Sequence, residues 1–207
     1  MAILKAIAIM FHGINKINRV YFYFILFSIL FTSVMFIPAY ARTATYFSPK
    51  TNLQNIDIHW LNKSLKVKRL YIAMYSFTDY RIAKDLLYLA HKGVKIYLYR
   101  DDKQMKDRTD KTYMLENVRN IHIEAKRDKG FWNIMHNKMF IIPGIVFREG
   151  SANWSPSAEG ASCYHGNCGP SENQDNNATY ITDKREINIA LHNFYRIWDR
   201  KSNIVIN

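Results

Sequence analysis

Cysteine is almost missing from this chain, with two residues in 207. That rules out a disulfide-dense scaffold and leaves the fold to a hydrophobic core. Glycine and proline are scarce too, at eight and five. No collagen-like pattern and no low-complexity linker is present. No internal repeat occurs, which excludes solenoid and propeller arrays. Acidic side chains are outnumbered, 17 Asp and Glu against 29 Lys and Arg, for a formal charge of +12. Such a balance suits a polyanionic partner, either nucleic acid or an anionic membrane surface. One stretch, Val20 to Ala41, has no charge at all.

That stretch has the form of a leader. Val20 to Ile37 is almost wholly apolar, follows Lys5, Lys16 and Arg19, and runs into Ala39-Tyr40-Ala41. A positive flank, an apolar core and a small-x-small ending mark a secretory signal. Residues 1–41 are therefore expected to be a signal peptide cut before Arg42, and residues 42–207 the functional domain. The apolar core exceeds the ~7–15 residues usual in a signal, so the alternative is an uncleaved membrane anchor through residues 20–37. Both forms place the domain outside the cytoplasm: periplasmic or secreted, or anchored to the membrane. The leader holds three cations and no acid, so the domain keeps 26 basic side chains against 17 acidic ones.

Within the domain, apolar periodicity alternates between helix and strand. Residues 42–52 are polar and turn-like. Leu53, Ile56, Trp60, Leu61 and Leu65 recur at helical spacing. Arg69 to Phe77 is β-prone, Asp79 is placed to cap a helix bearing Ile82, Leu86, Leu87 and Ala90, and Gly93 ends it. Val94 to Tyr99 is the next strand. Residues 103–119 are expected to be partly helical, with Tyr113, Met114 and Val118 inward. Short strands follow at Ile121–Glu124, Asn137–Ile142, Ile145–Phe147 and Ala178–Thr182. A last helix after Asp183 buries Ile187, Leu191, Phe194, Ile197 and Trp198. The strand–helix–strand run argues for an α/β sheet with parallel neighbours.

Chemistry concentrates at His136-Asn137-Lys138 and Gly150-Ser151-Ala152-Asn153-Trp154-Ser155. In a strand, His136 and Lys138 project to one side. Pro143-Gly144 is a turn signal. The return strand then carries Ser151 and Asn153 back towards His136. A neutral imidazole is a nucleophile for phosphorus and divides one displacement into two through a phosphohistidine. The Lys138 ammonium suits a non-bridging oxygen where charge develops. Ser151 and Asn153 add neutral hydrogen bonds. No metal and no cofactor is required by this set.

These residues resemble the phospholipase D superfamily, whose signature is His-x-Lys-x4-Asp followed by Gly-Ser-x-x-Asn or Gly-Ser-x-Asn. Tyr46-Phe47-Ser48-Pro49 and Ala73-Met74-Tyr75-Ser76-Phe77-Thr78 are similar to segments of its small, single-motif bacterial endonucleases. The resemblance implies a phospholipase D-like α-β-α sandwich around a central mixed, largely parallel sheet. It also implies that Asp175, in Asn173-Gln174-Asp175-Asn176, orients His136. Long family members carry two His-x-Lys motifs, and this chain has one. A complete site then requires a homodimer in which each subunit lends His136, one as nucleophile and one as general acid. The family's motif Asp falls at position 143, where this chain has Pro143; the change bears on hairpin geometry more than on chemistry.

Before His136 lies a basic loop. Lys126, Arg127 and Lys129, with Phe131 and Trp132, join cations to stacking faces, a mixture suited to single-stranded nucleic acid. Cys163 and Cys168, with four residues between them in a loop, are expected to form a local disulfide. The reading that follows is a metal-independent, non-specific endonuclease for DNA or RNA. A phospholipid-cleaving enzyme and a catalytically silent nucleic-acid-binding module are the alternatives.

Overall fold

The computed structural model describes residues 42–130, 132–162 and 174–206. The expected leader (residues 1–41), Phe131, Cys163, Cys168 and Asn173 lie outside the described residues. The elements in chain order are β1 (Thr43–Ser48), α1 (Leu53–Leu61), β2 (Arg69–Met74), α2 (Tyr80–His91), β3 (Lys95–Asp101), α3 (Asp102–Met105), β4 (Ile121–Lys126), β5 (Lys138–Ile142), β6 (Val146–Gly150), β7 (Asn176–Ile181), α4 (Lys184–Trp198) and β8 (Ile204–Ile206).

All eight strands join one mixed sheet in the order β1-β7-β6-β5-β2-β3-β4-β8. Only β2–β3 and β3–β4 pair in parallel. The pairs β1–β7, β2–β5, β4–β8, β5–β6 and β6–β7 are antiparallel. The sheet is mixed as expected, but the parallel part is confined to the α2 crossover and the segment leading to β4. A hairpin turn at Pro143-Gly144 forces its two strands antiparallel, and that half of the sheet holds the motifs.

Alternation along the strands feeds two cores. Leu70, Ile72 and Met74 of β2, with Phe140 and Ile142 of β5, pack with Leu53 and Leu61 of α1 and Ile82, Leu86 and Leu89 of α2. Tyr71 and Ala73, with Met139 and Ile141, face Ile187, Phe194 and Ile197 of α4. This is the α-β-α sandwich. Burying one such large apolar side chain contributes about 1.5–3 kcal/mol.

The helix starts follow their caps. Asp79 Oδ1 accepts the Ile82 N–H at 2.9 Å, and Asp183 Oδ1 accepts those of Arg185 and Glu186 at 2.8 and 3.0 Å. Three readings are corrected. Residues 43–48 form an edge strand rather than a turn, and Ile204–Ile206 adds the opposite edge. Short edge strands depend on their partner more than on their own pattern. Tyr113 points outward, 63% exposed, because a 3-10 turn over Thr112–Met114 rotates it off the core.

Candidate active site

β5 lies between β2 and β6, so the centre of the sheet presents its first residues. Met74 pairs with Lys138, and the Tyr75 N–H donates to the Asn137 carbonyl at 2.9 Å. His136 is exposed just before the strand, whereas Lys138 is 8% exposed. The Lys138 ammonium donates to the His136 carbonyl at 2.8 Å. It also lies 5.0 Å from the centre of the Tyr75 ring. The His136 ring meets the same tyrosine edge-on, with centroids 4.6 Å apart at 68°. One aromatic side chain therefore seats both motif residues, a packing-plus-quadrupole contact that holds a ring and a cation without neutralising either.

The second motif arrives through Gly150. Its φ is +153°, and a Cβ there would lie 2.2 Å from the Asn177 carbonyl oxygen. Only glycine lets β6 press this closely on β7. The Ser151 and Ala152 N–H groups then donate to that carbonyl at 3.1 and 3.2 Å. The Ser151 hydroxyl donates to Asn176 Oδ1 at 2.8 Å and accepts the Asn177 N–H at 3.0 Å. Asn153 Oδ1 accepts the Ser76 N–H at 3.2 Å, which turns its amide NH2 away to be donated elsewhere. Trp154 is fully buried, edge-on to Phe77 at 5.3 Å, and its carbonyl accepts the Thr78 and Asp79 N–H groups at 2.8 and 3.0 Å. The Gly-Ser-x-Asn turn is thus fastened to the same Tyr75–Asp79 segment that seats His136.

Electrostatics suit the residue types. Burial, then the Lys138 ammonium, lowers the His136 imidazole from its ordinary value, and Asp101 opposes them. The shift favours the neutral, nucleophilic form of the ring. Burial, then the Arg148 guanidinium, brings Lys138 down to about 8. It still carries its proton at neutral pH, loosely held.

Other expected residues are placed differently. Asp175 is exposed and, with Ser151, lines a surface pocket of about 300 Å3; it makes no hydrogen bond to His136 within the chain. Near the loop that leads to His136, Asp101 Oδ2 accepts the Met135 N–H at 2.8 Å and its Oδ1 accepts those of Lys103 and Gln104 at 3.2 Å. Lys126 turns its ammonium to the Ile134 carbonyl at 3.0 Å and braces the loop before His136. Arg127, Lys129 and Trp132 are exposed on that loop.

Four contributors escaped the sequence reading. Tyr75 and Asp101 stood in recognised strand ends without an assigned role. Arg148 and Asp57 carry a usable signal: each is a charge at an inward position, Arg148 in strand alternation and Asp57 at the i+4 step between Leu53 and Leu61. Both are fully buried.

The family model for the cardiolipin synthase phospholipase D-like domain matches residues 58–198. A search of curated proteins returns no match. Among solved structures, NucT from Helicobacter pylori is 21% identical, with a TM-score of 0.61 over 81% of this chain and 99% of that one. Nuc from Salmonella typhimurium, a phospholipase D family member, is 17% identical, with a TM-score of 0.65 over the same shares. A phosphatidylserine synthase from Haemophilus influenzae Rd KW20 is 14% identical, with a TM-score of 0.54 over 82% of this chain and 41% of that one. At these identities the structural likenesses establish the fold.

Proposed function

Because the chain belongs to the phospholipase D-like family, we propose that it is a metal-independent phosphodiesterase that cleaves nucleic acid as a two-fold homodimer. The observation that carries this reading is the pairing of the His136 ring with the Lys138 ammonium on Tyr75, with Asn153 bonded to the N–H of the next residue, Ser76. The His136 imidazole attacks phosphorus. A P–N bond forms and the P–O bond to the leaving strand breaks. Lys138 and the Asn153 NH2 take up charge on the non-bridging oxygens. The leaving oxygen receives a proton from His136 of the partner subunit, which enters the step as imidazolium. That ring, now neutral, deprotonates a water, which attacks the phosphohistidine, breaks the P–N bond and restores the starting imidazole and imidazolium.

The basic domain supports nucleic acid as substrate, with Arg127, Lys129 and Trp132 beside the motif strand. Contacts to phosphate carry no base information, so cutting is non-specific. Export or anchoring through residues 1–41 fits a periplasmic, secreted or membrane-anchored enzyme. A second reading, phospholipid head-group cleavage or transfer, is favoured by the cardiolipin synthase description of the matching family model.

The deciding experiment incubates wild type and His136→Ala with DNA, RNA and anionic phospholipid vesicles in excess chelator. Nucleic-acid cleavage by wild type alone supports the proposal. Faster head-group release from the vesicles selects the lipid reading. Activity that needs added divalent metal, or survives in His136→Ala, overturns both; binding without cleavage leaves the silent module.

A further inference from the structure

Arg148 is fully buried in the middle of β6, where a charge is costly unless it is paired and hydrogen-bonded. Its cross-strand neighbour is Phe140, and the β5–β6 ladder stops there. Continued, the register would set Lys138 against Gly150, but no such pair forms, and Gly150 keeps its pairing with Ala178 of β7 on the other side of β6. The Lys138 carbonyl is therefore left without a strand partner on that side. Arg148 supplies one: Nη1 donates to the Lys138 carbonyl at 2.8 Å and to the Ala152 carbonyl at 3.0 Å. Nη2 lies 3.2 Å from Asp57 Oδ2. Asp57 in turn accepts the Trp154 Nε1–H at 2.8 Å and the Tyr180 hydroxyl at 2.6 Å. One guanidinium thus touches the backbone of the residue that carries the ammonium and of the residue just before Asn153. Its counter-ion holds the residue just after.

We propose that Arg148, anchored by Asp57, is the positioning residue of this site: it ties the Lys138 and Ala152 carbonyls together from inside the sheet and so sets the Lys138 ammonium against the Asn153 amide. Neither Arg148 nor Asp57 touches substrate. A planar fork suits the task, because one nitrogen spans two carbonyls while another faces the acid. The guanidinium also acts on Lys138 through its charge, helping burial to loosen the ammonium proton. The role in turnover rests on the phosphodiesterase reading; the effect on Lys138 does not.

The test uses Arg148→Met, Arg148→Lys and the charge-neutral pair Asp57→Asn/Arg148→Met, which carries the experiment if the single Met variant does not fold. The pH dependence of kcat and KM is measured on bis-p-nitrophenyl phosphate. The Lys138 ammonium is titrated by NMR in protein with 13C-labelled lysine, its signal assigned by its loss in Lys138→Arg. For Arg148→Met or the pair, kcat is expected to fall roughly 100-fold with a smaller change in KM. The Lys138 titration and the basic limb should both move up from about 8. Arg148→Lys should lose kcat while Lys138 titrates near its wild-type position. A folded variant that keeps wild-type kcat, or a folded Met-containing variant whose Lys138 titration stays in place, overturns the proposal. If wild type cleaves no phosphodiester, the enzymatic reading falls and the titration alone decides whether Arg148 governs Lys138.

Discussion

At the scale of single residues, proton affinity links the site to pH. Lys138 is charged below about 8 and neutral above it. Catalysis that needs its cation should lose kcat/KM as pH rises through that value. Lys138→Arg keeps the charge to far higher pH. It should remove the part of the basic limb that Lys138 sets while lowering kcat, and Lys138→Met should cost about 10²–10³-fold at neutral pH. On the acid side, the attacking His136 must be neutral. Its lowered affinity for protons places the acid limb under the ~6.5 of an ordinary imidazole. A kcat/KM profile of the three proteins checks all of this. Glu159 behaves oppositely. Burial, then the carboxylates of Asp57 and Asp79, raises its carboxyl well above the usual range. The fold then gains stability from protonated Glu159 in acid. That gain is lost as pH rises from the ordinary value of 4.5 through the raised one. Glu159→Gln mimics the protonated form. It should match wild type in thermal unfolding near pH 4 and melt higher near pH 8.

At the scale of elements, the site depends on close approach between neighbouring strands. Gly150 is the point where β6 meets β7 with no room for a side chain. Gly150→Ala must push the strands apart and move Ser151 and Asn153 with them. A loss of about 1–3 kcal/mol, read by urea unfolding, and a larger fractional loss of kcat are expected. Trp154 closes the same turn from below, filling the core against Phe77 and Phe140 and bonding Asp57. Trp154→Phe removes the N–H donor together with part of the buried ring. It should cost about 1–3 kcal/mol, since Asp57 is left with one buried lone pair unmet. An unchanged denaturation midpoint in Trp154→Phe would show that the indole N–H contributes packing alone.

At the scale of the whole molecule, charge and symmetry set the expectations. The domain's 26 basic side chains against 17 acidic ones should make polynucleotide affinity fall steeply with salt. The slope of log K on log salt should be about −0.7 per phosphate neutralised on a single strand. A slope near zero in a fluorescence titration would remove nucleic acid from consideration. The shared two-histidine site makes a sharper demand. Subunits of His136→Asn refolded with an equal amount of wild type should leave about a quarter of the activity, because only wild-type pairs hold both rings. Retention of half the activity would mean that each subunit works alone.

What the amino-acid order determined by itself was whatever rests on short-range chemistry. The helix over 184–198, its Asp183 cap, the turn at Pro143-Gly144 and the opposite faces of Met139 and Phe140 all follow from spacing along the chain. So does the placing of His136, Lys138, Ser151 and Asn153 along one hairpin. Tertiary structure decided the rest. Thr43–Ser48 and Ile204–Ile206 are strands only because β7 and β4 offer them hydrogen bonds. Asp175 was matched to His136 by its place in the sequence, whereas the bond from the Met135 N–H to Asp101, just before that ring, exists only through the fold. Arg148 and Asp57 lie 91 positions apart. Nothing local pairs them; each buried charge needs the other, and only the folded sheet brings them together.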